Sequence, residues 1–253
     1  MAINILILTD YSGHSLNAAR YALNLSKSAS NFYILNSGST ETKLMDRFIH
    51  KLSQGNNRAA KHKFCPNFSN DNLIDATRKI VAEKNIDLIV MGASGKSSSR
   101  IKGLGNNTYN VIRKVKCPVL TVAENQEFKP WENLLFPIDY GVMLHGETLG
   151  VFKKLPLLKL SVFNVWEINA ADKQKLNSYR NEINSKLSPQ AVNFSEIEVA
   201  DQLGGQFWKK AKTNANLVVL MARNLKVSEE LLLHPPVSGK DDNSRPPVLI
   251  LHG

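Results

Sequence analysis

Gly92-Ala93-Ser94-Gly95 and, after nine intervening residues, Gly105-Asn106 form the stretch of this chain best suited to chemistry with an anion. Glycines let the backbone approach a charged group closely and adopt positive φ without strain, and the free N–H groups of a helix's first turn point at the charge. The order required is strand, loop, helix. It is met here: the apolar run Ile86-Asp87-Leu88-Ile89-Val90-Met91 precedes the glycines, and a helical pattern from Thr108 to Lys114 follows them. Glycines at strand-to-helix turns also serve packing, and spacing alone does not separate that role from phosphate binding.

Other chemistries find less support. Gly95-Lys96-Ser97 lacks the preceding glycine that a Walker A loop needs. Ser94, Ser97, Ser98 and Ser99 have neither a strand-borne elbow nor a partner histidine, so no nucleophile is expected among them. The six histidines, His14, His50, His62, His145, His234 and His252, are not paired at metal-ligand spacing. Asp10, at the end of an apolar run, is open to two readings: a cap for the following helix, or a ligand contact.

The elements that must position these residues alternate strand and helix. Ile3–Thr9 is nearly continuously apolar, as a strand covered on both faces should be. Leu16, Ala19 and Leu23 repeat at helical spacing; a strand over Asn31 to Leu35 ends at Asn36-Ser37-Gly38. A helix marked by Leu44, Phe48 and Leu52, a weak edge strand at Lys61 to Phe64, and a helix striped by Leu73, Thr77 and Ile80 lead to the Ile86 strand. This βαβαβαβαβ pattern predicts a parallel sheet with right-handed crossovers.

The second half repeats the first. Asp139 answers Asp10, Met221 answers Met91 and Pro247 answers Pro118, all at an offset of 129 or 130 residues. A repeat this long marks duplicated domains. Lys159 to Trp166, Asn193 to Val199 and Asn216 to Met221 read as strands, and Ala170 to Leu187 and the stripe Leu203, Phe207, Ala211 as helices. The glycines do not recur: Met221 is followed by Ala222-Arg223-Asn224-Leu225-Lys226-Val227-Ser228-Glu229-Glu230, and Gly239 lies in a polar, proline-flanked loop. Arg223 to Glu230 thus offers side chains where a phosphate would need bare backbone, and Leu231-Leu232-Leu233 reads as an apolar plug. The short, proline-containing stretch Glu124 to Trp131 is the linker, giving domains at 1–126 and 127–253.

These features resemble the universal stress protein family, whose loop reads G-x2-G-x9-G followed by Ser or Thr. Asn106 departs from that last position. Ile5-Leu6-Ile7-Leu8-Thr9-Asp10-Tyr11-Ser12 is similar to the family's first strand, and Lys116-Cys117-Pro118-Val119-Leu120-Thr121-Val122 to its last, so the likeness spans roughly residues 1–125. The resemblance implies two tandem five-stranded α/β domains of the adenine nucleotide alpha hydrolase-like type, in strand order 3-2-1-4-5. It also implies a ligand crevice where that order reverses, between strands 1 and 4. It further implies ATP or a related adenine nucleotide, with or without magnesium, bound in the first domain alone and without catalysis. Asp10, with Thr9 beside it, and the backbone near Ser37 would serve the adenine end. Gly92, Ser94, Gly95, Gly105, Asn106 and Asn107 would surround the phosphates next to Met91. Pairing of the two halves through Val119 to Val122 and Val248 to Leu251, as a pseudo-dimer, is expected from the family, with a homodimer as the variant. The rival reading is an interaction scaffold that has lost the nucleotide or takes another small ligand.

Composition fits these readings. The hydrophobic share is 43%, enough for a core in each half, and no apolar run approaches the roughly 20 residues of a membrane span. Met1 to Leu8 lacks the basic region of a signal peptide and the chain has 2 cysteines, so a cytoplasmic location is expected. The net charge of +10 includes the clusters Lys43, Arg47, Lys51, Arg58, Lys61, Lys63 and Lys96, Arg100, Lys102. No nucleic-acid-binding signature accompanies them, so nucleic acid is not an expected partner, and the second cluster would instead draw a polyanion to the loop. Lys96 to Lys102 has little to anchor it and is expected to order only with ligand.

Overall fold

In the computed structural model the chain divides into two compact units, Met1–Phe128 and Lys129–Gly253. The structure describes residues 3–25, 28–38, 40–55, 57–93, 104–139, 148–155, 161–168, 173–197, 203–222, 231 and 246–252.

The first unit is a parallel sheet of β1 (Asn4–Leu8), β2 (Asn31–Ser37), β3 (Lys63–Ser69), β4 (Leu88–Gly92) and β5 (Val119–Val122), in the order β3-β2-β1-β4-β5. Burial explains the order. Ile5, Leu6, Ile7, Leu88, Ile89 and Val90 are fully buried, and a strand without a polar face belongs in the middle, with helices above and below. β3 has exposed Lys63 and Pro66 and pairs with β2 at the margin, where a residue without an N–H does least harm.

Among the described residues, four α-helices cover this sheet: α1 (Gly13–Ala22), α2 (Thr42–Ser53), α3 (Leu73–Glu83) and α4 (Asn106–Lys114). Each buries a stripe at helical spacing: Ala18, Ala19 and Ala22 on α1, Met45, Phe48 and Leu52 on α2, Ala76, Thr77 and Ile80 on α3, Thr108, Val111 and Ile112 on α4. The alanines of α1 let that helix lie close on β1, β4 and β5. α1 and α3 start at side-chain caps: Ser12 accepts from the Ser15 N–H, and Asn72 from those of Ile74 and Asp75. α4 starts at Gly105 with no side-chain cap among the described residues, which leaves its first N–H groups facing outward from the helix end.

The second unit repeats the topology. β6 (Asn133–Asp139), β7 (Val162–Ile168), β8 (Ala191–Ile197), β9 (Leu217–Met221) and β10 (Val248–Leu251) lie parallel in the order β8-β7-β6-β9-β10. Among the described residues its helices include α5 (Gly150–Lys154), α6 (Lys173–Leu187) and α7 (Leu203–Asn214). Trp131, Phe136, Phe163 and Phe207 form the center of its core, each at most 1% exposed. The five-residue α5 carries too few apolar repeats to be read from sequence.

Candidate functional site

The strand order of the first unit reverses between β1 and β4, and the C-terminal ends of β1, β2 and β4 open there into one cleft. The turn leaving β1 is held by its own side chains. Thr9 Oγ1 accepts the Tyr11 N–H at 2.9 Å and lies 2.9 Å from Ser15 Oγ. The Asp10 carboxylate accepts the Ser12 N–H at 3.0 Å and also the Ser12 hydroxyl, while Ser12 Oγ accepts the Ser15 N–H at 3.3 Å. Asp10 therefore does not cap α1 itself; it holds the serine that does. Tyr11 sits at φ 59°, a left-handed conformation uncommon outside glycine. Its ring packs edge-on against Phe48 with centroids 6.0 Å apart, and its hydroxyl is buried with no hydrogen-bond partner among the described residues. Burial, with the charge of Glu41 adding, pushes the Tyr11 phenol above its ordinary pKa, so it stays protonated at neutral pH.

β2 contributes Asn36 and Ser37. Asn36 is 6% exposed, its Nδ2 donates to the Thr9 carbonyl at 2.7 Å, and its Oδ1 is buried with no partner among the described residues. β4 ends at Gly92, whose carbonyl accepts the Thr108 hydroxyl at 2.9 Å, and the Gly105 N–H donates to the Ala93 carbonyl at 2.8 Å. These two bonds fix the first turn of α4 against the end of β4, so its N–H groups lie beside the cleft. The cleft measures about 290 Å³ and is lined on the β1 and β2 side by Thr9, Asp10, Asn36 and Ser37, and on the β4 side by Gly92, Gly105 and Asn107. That volume is at the low end for a small-molecule site.

Of the residues singled out from sequence, Thr9, Asp10, Ser37, Met91, Gly92, Gly105 and Asn107 line this cleft together. Asn106 is exposed and does not line it. Ser94 and Gly95, with the basic cluster Lys96, Arg100 and Lys102, lie outside the described residues. So do Arg223 to Glu230, Leu232, Leu233 and Gly239 of the second unit, and the side chain of Asp139. Sequence reasoning missed Ser12, Ser15, Asn36, Leu73 and Thr108, which also line the cleft. The signal for Asn36 was present: it is the first polar residue after the buried run of β2. Among the described residues, no group of three His, Cys, Asp or Glu side chains is placed to hold a metal ion. No helix is long and apolar enough to cross a membrane, again among the described residues.

The sequence profile of the universal stress protein family matches residues 70–123, which contain α3, β4, the glycine loop, α4 and β5. Over that stretch the chain is similar to the universal stress protein family. The same fold extends over its whole length. A universal stress protein from Archaeoglobus fulgidus DSM 4304 superposes with a TM-score of 0.64 at 15% identity, covering 98% of this chain and 97% of that one. A functionally unknown protein from Pseudomonas aeruginosa PAO1 gives a TM-score of 0.62 at 16% identity, covering 99% and 92%. The cytoplasmic domain of a prokaryotic cation chloride cotransporter gives 0.61 at 9% identity, covering 99% and 95%. At such identities the likeness is one of fold, and the universal stress fold serves more than one kind of protein. No curated protein matches the sequence.

Proposed function

We propose that the first unit binds one adenine nucleotide, ATP or a close relative, in the cleft at the ends of β1, β2 and β4, and acts as a regulatory module without catalysis. The observation that carries this reading is the composition of the cleft's two sides. One side holds Asp10, Ser37 and an acceptor-bearing Asn36; the other holds Gly92, Gly105 and the uncapped start of α4. The first suits the hydroxyls and amine of a nucleoside. The second suits phosphate, since a helix N-terminus carries partial positive charge and its N–H groups lack other partners. Asn106 has an amide where the family pattern has a hydroxyl, so it can still donate from Nδ2 but lacks the hydroxyl that the pattern offers a phosphate or metal.

The second unit takes no nucleotide in this reading, because it lacks the glycines and presents Glu229 and Glu230 in the corresponding sequence. Calorimetric titration of the full chain with ATP, with and without magnesium, tests both points. The expected result is saturable binding at one nucleotide per chain, abolished by Gly95→Val. A stoichiometry near two refutes the one-site reading, and no binding under either condition refutes the proposal and favors the scaffold reading.

A further inference from the structure

Asn36 and Glu167 hold the same register position in the two units. Leu8 pairs with Leu35, so Asn36 lies beside Thr9, one residue past the end of β1. Glu167 pairs with Ile138, which stands 129 residues after Thr9. Both side chains therefore sit at the C-terminal end of a second strand, and both bring buried acceptor oxygens there. A buried acceptor without a donor is costly, so each position needs one.

The second unit supplies its own. Glu167 is fully buried, and Arg180 of α6 donates from Nε to its Oε1 at 2.8 Å and from Nη2 to its Oε2. Arg180 is steadied there by Glu196 at 3.1 Å and by the Phe194 ring, 5.5 Å from its guanidinium carbon. In the first unit the corresponding helix is α2, whose buried residues are Met45, Phe48 and Leu52, none of them a donor. The amide of Asn36 cannot turn to relieve the problem. Rotating it would break the 2.7 Å bond from Nδ2 and set Oδ1 against the Thr9 carbonyl oxygen.

We infer that Asn36 Oδ1 is a specificity-determining acceptor of the cleft, taking an O–H or N–H donor from the nucleoside part of the ligand. Arg180 does in the second unit what the ligand does in the first. The inference rests on the nucleotide reading above and sharpens it: the locked amide selects for a donor and against an analogue that places an acceptor or a bare carbon there. A buried acceptor left unmet by the analogue reduces affinity about 10- to 100-fold.

The test is calorimetric titration of the full chain with ATP, 2′-deoxy-ATP, 3′-deoxy-ATP and the 6-oxo analogue inosine triphosphate. The three analogues separate the two ribose hydroxyls from the exocyclic amine. One of them should bind the native protein about 10- to 100-fold more weakly than ATP, and the gap should close to within about 3-fold in Asn36→Leu. Equal binding of ATP and all three analogues by the native protein overturns the inference, whether or not the variant folds. A gap that survives intact in folded Asn36→Leu also overturns it, whereas ATP binding itself still supports the nucleotide reading. Failure of ATP to bind at all overturns both.

Discussion

Replacing Arg180 by Met should unfold the second unit far more readily than the first. Glu167 has no exposed side-chain surface, and the Arg180 side chain that meets both its oxygens is 29% exposed. Removing that guanidinium leaves a carboxylate buried without its main donor, a loss of about 3–5 kcal/mol. Domain stabilities lie near 5–15 kcal/mol, so the variant should be marginal but still folded in water. Replacing both members, as Arg180→Met with Glu167→Leu, removes the stranded charge and should recover most of the loss, because hydrophobic residues of similar volume commonly substitute for a buried pair at little cost. Glu196 keeps a side chain 58% exposed and needs no compensation.

The molecule supplies its own probe for this experiment. All three tryptophans, Trp131, Trp166 and Trp208, belong to the second unit. Trp131 and Trp208 are 1% and 3% exposed, and Trp166 packs edge-on against Phe207 with centroids 5.4 Å apart. Tryptophan emission in urea therefore reports the second unit alone. With a denaturant slope of about 2 kcal/mol per molar, the single variant should lower the midpoint by roughly 1.5–2.5 M. A fall of less than about 0.5 M, or a double variant no more stable than the single one, would refute the argument that Glu167 depends on Arg180.

Two further outcomes follow from the first unit. Thr108→Val keeps shape but removes the donor to the buried Gly92 carbonyl, and should destabilise the unit by about 1–3 kcal/mol, measured by circular dichroism in urea. Cys117 is held protonated: burial first, then the charge of Asp87, raises its thiol from 9.0 to about 12. The unfolded chain then ionises before the folded one, so this group leaves stability unchanged below pH 9 and erodes it as pH rises from 9 toward 12. Iodoacetamide at pH 8.5 should spare Cys117 in the native protein and modify it once urea unfolds the chain, with mass spectrometry of peptides as the readout; rapid native labelling would contradict its burial.

Much of the fold was legible because burial writes itself into composition. The runs at Ile5–Leu8 and Leu88–Met91 could only be central strands, and the repeat at an offset of 129 or 130 carried that reading to the second half. The errors lie at edges, where solvent weakens the pattern. β3 runs over Lys63–Ser69 rather than Lys61 to Phe64, because its length is set by pairing with Asn31–Ser37 and not by its own mixed residues. β4 begins two residues late, since Asp87 is used otherwise: its carboxylate accepts the Asn4 N–H at 2.9 Å. β8 begins two residues early, at Ala191, in register with Val162.

The site was legible only in part, for a different reason. Glycines and an aspartate at strand ends announce themselves by type, whereas Asn36 matters through what does not reach it. Whether a buried amide oxygen is satisfied depends on which side chain the next helix turns toward the sheet, and that is a property of two elements together. α6 turns Arg180 inward and α2 turns Met45, Phe48 and Leu52, yet both helices simply cover their sheets. A duplicated fold can preserve every strand while a single helix-face residue decides whether a polar strand end is closed by the chain itself or left for a ligand. The Glu167–Arg180 pair closes one copy, and in the other no described residue donates to Asn36 Oδ1.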